Sequence, residues 1–109
     1  MRPLETILNI INRHPDAISE WGYESPMELT DGLAFGVNSK GYDPGWVQVR
    51  YDDGDDSFFL RIVEQEYGFA QEVCMVPEKE LFDVLHKLVI GDLSEDEIRE
   101  MERRWWDEP

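Results

Sequence analysis

The stretch WVQVRYDDGDDSFFLRIVEQ, residues 46–65, decides the fold. Its apolar residues recur at every second position on both sides of an acidic centre. Val47, Val49 and Tyr51 alternate with Trp46, Gln48 and Arg50, and Phe58, Leu60 and Ile62 alternate with Phe59, Arg61 and Val63. A period of two is that of a β-strand whose two faces meet different surroundings. Between the two runs, Asp52, Asp53, Asp55 and Asp56 surround Gly54. Asp-Gly is a favoured hairpin dipeptide, because glycine reaches positive φ without a Cβ clash. The stretch therefore predicts a β-hairpin with an acidic tip.

A calcium loop counted from Asp53 would take Asp55, Ser57 and Glu64 at its third, fifth and twelfth positions. Its sixth position, where the chain must bend on a glycine, is Phe58, and both flanks alternate where an EF-hand needs helices. No metal site and no cofactor is predicted. At about 7 Å in water, each like-charge pair of carboxylates costs roughly 0.6 kcal/mol before screening by salt. An exposed tip tolerates that cost and attracts cations only weakly.

Outward from the hairpin the rhythm changes. Leu4, Ile7, Leu8 and Ile11 fall at i, i+3, i+4 and i+7, which predicts an amphipathic helix with Pro3 in its first turn and Pro15 limiting its far end. Residues 15–32, PDAISEWGYESPMELTDG, read as short helical turns. Within them Ser25 stands as an N-cap, Pro26 at a first helical position and Glu28 as a capping-box partner. LAFGVN, residues 33–38, predicts a strand with Leu33, Phe35 and Val37 on one face, and Gly36 suggests a bulge or a close backbone approach. SKGYDPG, residues 39–45, is a loop and EYG, residues 66–68, a turn. FAQEVCMV, residues 69–76, predicts a further strand with Val73 and Met75 on one face.

Pro77 ends the strands and suits a helix start. EKELFDVLHKLVI follows, with Leu81, Leu85 and Leu88 on one stripe, Phe82 and Val89 beside it, and Gly91 as C-cap. LSEDEI, residues 93–98, is the clearest local signal. Ser94 caps, Glu97 answers it and Leu93 staples onto Ile98. Removing Ser94 is expected to cost about 1 kcal/mol. That helix is expected to run to about Trp105, with Ile98, Met101 and Trp105 inward. Together the elements predict one α+β domain, residues 1–109, built as a two-layer sandwich. Its sheet is an antiparallel three- to four-stranded meander, with an N-terminal helix and two C-terminal helices.

The 109 residues carry 25 acidic and 10 basic side chains, a formal charge of −15. Such a chain repels nucleic acid and anionic membrane, so neither is expected as a direct partner. Another protein, particularly a basic one, is. Cys74 is the only cysteine, and the first fifteen residues form neither a signal peptide nor a membrane span, so a cytoplasmic protein is expected.

Catalytic signals are sparse. His14 and His86 have no second His or Cys at metal-ligand spacing, and Cys74 and His86 lie on different elements. Phosphate-binding glycine loops, zinc-protease helices and nucleophile elbows do not occur. Glu64 and Glu72 lie within strands, where they belong to the solvent face unless a pocket holds one of them. No catalytic residue is assigned. Trp105 and Trp106 are about 100° apart on a helix, so one is exposed and can anchor a partner, or a homodimer through the C-terminal helix. Glu95–Arg99 and Glu100–Arg104 are spaced as i, i+4 ion pairs, which interrupts any phosphate-like acidic stripe there.

The resulting expectation is a non-catalytic protein–protein interaction module. Its candidate partner-binding residues are Asp52, Asp53, Asp55 and Asp56 at the hairpin, and Trp105 and Trp106 on the last helix. Two alternatives are a DNA-mimic or immunity-type inhibitor that occupies a basic nucleic-acid-binding protein, and a small hydrolase or isomerase using a strand carboxylate.

Overall fold

The computed structural model describes residues 3–38, 45–54, 56–64 and 70–107. Along the chain run α1 (Pro3–Asn12), α2 (Pro15–Trp21), β1 (Glu24–Leu29), β2 (Gly32–Val37), β3 (Gly45–Asp52), β4 (Ser57–Glu64) and β5 (Ala70–Val76). A 3-10 turn (Glu78–Glu80), α3 (Leu81–Ile90) and α4 (Glu95–Asp107) follow. The strands pair antiparallel in chain order, β1-β2-β3-β4-β5. The meander, the N-terminal helix and the two C-terminal helices are those predicted, with one strand more. The predicted loop at residues 39–45 and turn at 66–68 fall largely outside the described residues.

The hairpin register follows from the alternation. Val47 faces Ile62, Val49 faces Leu60 and Tyr51 faces Phe58 across β3 and β4. With these pairs in register, one sheet face is continuously apolar. Helices α1 and α3 pack on the sheet, and Ile7, Ile11, Phe35, Leu60, Leu85 and Leu88 between them are essentially inaccessible. The other face is mixed, with Trp46, Gln48, Phe59, Arg61 and Val63 half-buried. On that side Gly36 lies under a neighbour, for a Cβ there would sit 3.1 Å from Glu24 Cγ. The close approach suggested by the glycine is thus the Glu24 side chain.

Residues 24–29 form a strand where the sequence suggested a helical turn. Ser25 is not an N-cap: its φ is 50°, and the pairing with β2 slips between Glu24 and Met27. Pro26 is tolerated because β1 lies at the edge of the sheet, where a missing N–H need not cost a ladder bond. Almost every residue of β1 is exposed, so the strand carries no burial periodicity of its own. A short, bulged, Pro-bearing edge also discourages pairing with another chain.

The opposite edge, β5, departs from its predicted face. Phe58 pairs with Val76 and Leu60 with Val73, so β5 carries one extra residue in a bulge. Met75 sits there at φ 58°, half-buried, and Val76 takes the core position expected of Met75. The bulge turns the strand by one residue, which swaps its faces. Helix α4 packs beside this edge, and the Cys74 backbone N–H donates to Glu102 Oε2 at 2.9 Å.

The helix ends match their local signals. Gly91 closes α3 in the left-handed region at φ 77°. Ser94 Oγ accepts the Glu97 N–H at 3.2 Å and its hydroxyl donates to Glu97 Oε1 at 3.2 Å, while Leu93 and Ile98 are both buried. The start of α3 differs slightly from expectation, since the 3-10 turn occupies residues 78–80 before the α-helix begins.

Candidate functional site

The last paired residues of the hairpin are Asp52 and Ser57, so the tip spans residues 53–56. Asp52 Oδ1 accepts the Gly54 N–H at 2.9 Å, and the left-handed position is taken by Asp56, at φ 50°, rather than by Gly54. Aspartate tolerates that conformation better than most side-chain-bearing residues. Asp52, Asp53 and Asp56 are exposed, whereas Asp55 lies outside the described residues. The Tyr51 hydroxyl donates to Asp56 Oδ1 at 2.5 Å. That bond holds the phenol in its protonated form and, with burial and the charges of Asp56, Asp53 and Asp52, pushes its pKa up to about 12.

A second turn joins the same end. The Asp31 carbonyl, between β1 and β2, accepts the Tyr51 N–H at 2.8 Å, and the Asp31 carboxylate lies 3.4 Å from Arg50 Nε. This end of the sheet therefore carries Asp31, Asp52, Asp53 and Asp56, with Arg50 paired to Asp31 and Tyr51 to Asp56.

The end of α4 lies toward the same end of the sheet, on the β5 side. Phe58 pairs with Val76, so β5 finishes beside the hairpin and the 3-10 turn begins there. Glu80 of that turn accepts the Trp105 indole N–H and a bond from Arg104 Nη2 at 3.2 Å. Trp105 is half-buried against the core, whereas Trp106 is 66% exposed, with Arg99, Glu102 and Arg103 around it. The ion pairs differ from those the spacing suggested. Arg99 lies 3.7 Å from Asp96, and Arg104 reaches across to Glu80. A long side chain with a carboxylate on another element need not pair along its own helix.

The remaining chemical candidates are occupied structurally. The Trp21 indole N–H donates to His86 Nδ1 at 3.0 Å, and the His86 ring stacks with Phe82. Cys74 is half-buried at the β5 bulge. Burial pushes its thiol pKa up, and the charge and hydrogen bond of Glu102 push it further, which is the opposite of nucleophile activation. Glu72 lies exposed, 3.5 Å from Arg61 across β4 and β5. Glu64 ends β4 opposite Gly45 and is half-buried. Neither glutamate lines a principal cleft among the described residues.

Among the described residues no three of His, Cys, Asp and Glu converge as metal ligands would, and no helix is long and apolar enough to cross a membrane. No protein-family model, curated protein or solved structure matches the chain. Sequence reasoning took Tyr51 as an inward strand residue and missed its bond to the tip. It also missed Glu80, whose only signal was a position three residues after Pro77.

Proposed function

We propose that the chain is a non-catalytic interaction module that receives a basic protein surface on the hairpin end of its sheet, with Trp106 as the apolar anchor. The observation that carries this reading is the exposure of Trp106, 66%, on the helix end tied through Glu80 to the end that bears the aspartates. A large exposed aromatic contributes affinity when a partner desolvates it. The hairpin aspartates contribute mainly encounter rate and selection for positive charge. The net charge of −15 extends the same preference over the whole molecule.

Arg99, Arg103 and Arg104 stand on the same helix. Their positive charge breaks any run of negative charge spaced like a phosphate backbone, which counts against a DNA mimic and leaves the hairpin aspartates as the feature that selects a basic protein surface.

The test is affinity capture from the native cell at low and moderate salt, with three baits. These are the wild-type chain, a variant with Asp52, Asp53, Asp55 and Asp56 all changed to Asn, and Trp106→Ala. The expected result is one basic protein retained by the wild type. Its recovery falls with salt, is reduced by the aspartate changes and is lost with Trp106→Ala. Equal recovery by all three baits would reject this end as the contact surface. Light scattering on the purified chain separately reads self-association, and a dimer abolished by Trp106→Ala would replace the basic partner with a second copy.

A further inference from the structure

Helices α1 and α3 cover one face of the sheet, and strand register sorts the outward residues of the other face into rows. Gly36, Trp46, Val63 and Ala70 lie side by side from β2 to β5 in one row. Met27, Ala34, Gln48, Arg61 and Glu72 make the next, and Arg50 and Phe59 belong to the third. An antiparallel face that meets only water carries polar residues at its outward positions. Here the first row is uncharged across four strands. Among the described residues, none of Met27, Trp46, Phe59 and Val63 belongs to the core between sheet and helices or packs against it. Trp46, Phe59 and Val63 are half-buried, and Met27, 54% exposed, is with Trp106 one of the two large apolar side chains that stand open to solvent.

Charge points to the occupant of this face. With Glu24, which lies over Gly36, the three rows hold two arginines and two glutamates, a formal charge of zero in a chain of −15. Arg61 is paired with Glu72 inside the face, and Arg50 with Asp31 of the adjoining turn. A strongly charged partner of either sign gains little here. A second copy of the chain, repelled by its own sign over the rest of the surface, meets a neutral face that brings the same apolar row and the same ion pairs. Five strands about 4.8 Å apart, each crossing the face over about six residues at about 3.3 Å, present roughly 500 Å² in plan. Interdigitated with a second such face, that approaches the ~600 Å² of accessible surface per partner at the lower bound of stable interfaces.

We infer that two copies of the chain pack these faces together about a two-fold axis, sheet on sheet, with the helix layers outside. Trp46, Val63, Phe59 and Met27 supply the apolar contact, and the paired arginines and glutamates add no net repulsion. Trp106 takes no part in this contact. The dimer is therefore independent of the docking proposed for the hairpin end and stands or falls separately from it.

The test is sedimentation equilibrium of the full chain over a range of concentrations at about 150 mM sodium chloride, where screening is physiological. The expected mass rises from 12.8 kDa to twice that value. Trp46→Ala is expected to abolish the dimer. Met27→Glu combined with Ala70→Glu, both at exposed positions, is expected to weaken it about tenfold or more, because each copy then carries new carboxylates into the contact. Trp106→Ala is expected to leave it unchanged. The inference is overturned by a chain that stays monomeric up to about 1 mM, by a dimer that survives the face variants, or by one that Trp106→Ala abolishes. If a face variant does not fold, the wild-type chain still decides: on dilution the Trp46 indole N–H resonance is expected to move and that of Trp106 to stay, and the reverse would place the contact on α4.

Discussion

Tyr51 and Asp56 show how one contact turns a strand residue into part of the hairpin tip. The phenol donates to the carboxylate, and its pKa stands at about 12. In the unfolded chain a tyrosine titrates near 10. Because the folded value is the higher one, the contribution of this contact is whole below a pH of about 10 and is lost as pH rises through about 12. An ultraviolet phenolate titration of the four tyrosines is expected to show Tyr51 titrating late, and Asp56→Asn to bring it down toward the ordinary value. The Trp21–His86 bond is the inward counterpart. Trp21 is fully buried, so its indole N–H depends on His86 Nδ1. Changing His86→Leu leaves that donor without an acceptor, and an expected loss of about 1–3 kcal/mol is read by denaturant unfolding. The hairpin was legible from the alternation on both sides of the acidic centre, although the left-handed position fell to Asp56 and not to Gly54. The bond from Tyr51 was not, because a strand period says which face a ring takes and nothing about what its hydroxyl meets.

At the scale of elements, the two edges of the sheet show different means of avoiding further pairing. Edge β1 is exposed, bulged and interrupted by Pro26, whereas α4 packs beside β5 and Glu102 accepts the Cys74 N–H. Glu102→Ala leaves that N–H half-buried without the carboxylate, so unfolding is expected to show a loss of about 1–3 kcal/mol. The same change lowers the Cys74 pKa toward its ordinary value, since a charge and a hydrogen bond that raise it are removed, and thiol alkylation at mildly alkaline pH is expected to speed up. The capping box at Ser94 and the C-cap at Gly91 could be read from sequence because each involves residues within a few positions of one another. Strand β1 could not, because its residues are almost all exposed and its pairing with β2 is the reason it is extended.

Over the whole molecule, a charge of −15 on a body with a radius of gyration of 13.1 Å keeps like charges within a few Debye lengths of each other. The repulsion opposes the compact state and weakens with salt. Raising sodium chloride from about 10 mM to about 150 mM is expected to raise Tm, as calorimetry would show, because the Debye length shrinks from about 30 Å to about 8 Å. A Tm that falls with salt would mean that the ion pairs of Arg50, Arg61 and Arg104 outweigh the repulsion.

The amino-acid order by itself determined the helix and strand periods, the β3–β4 hairpin, the caps of α3 and α4 and the excess of negative charge. Each is set by neighbours along the chain or by composition. Only the tertiary structure decided that residues 24–29 join the sheet, that Val76 replaces Met75 in the core, that Trp105 and Arg104 meet Glu80, and that Tyr51 bonds Asp56. Those outcomes depend on groups that meet only once the strands and helices have come together, and periodicity along one segment carries no information about the surface that another segment brings to it.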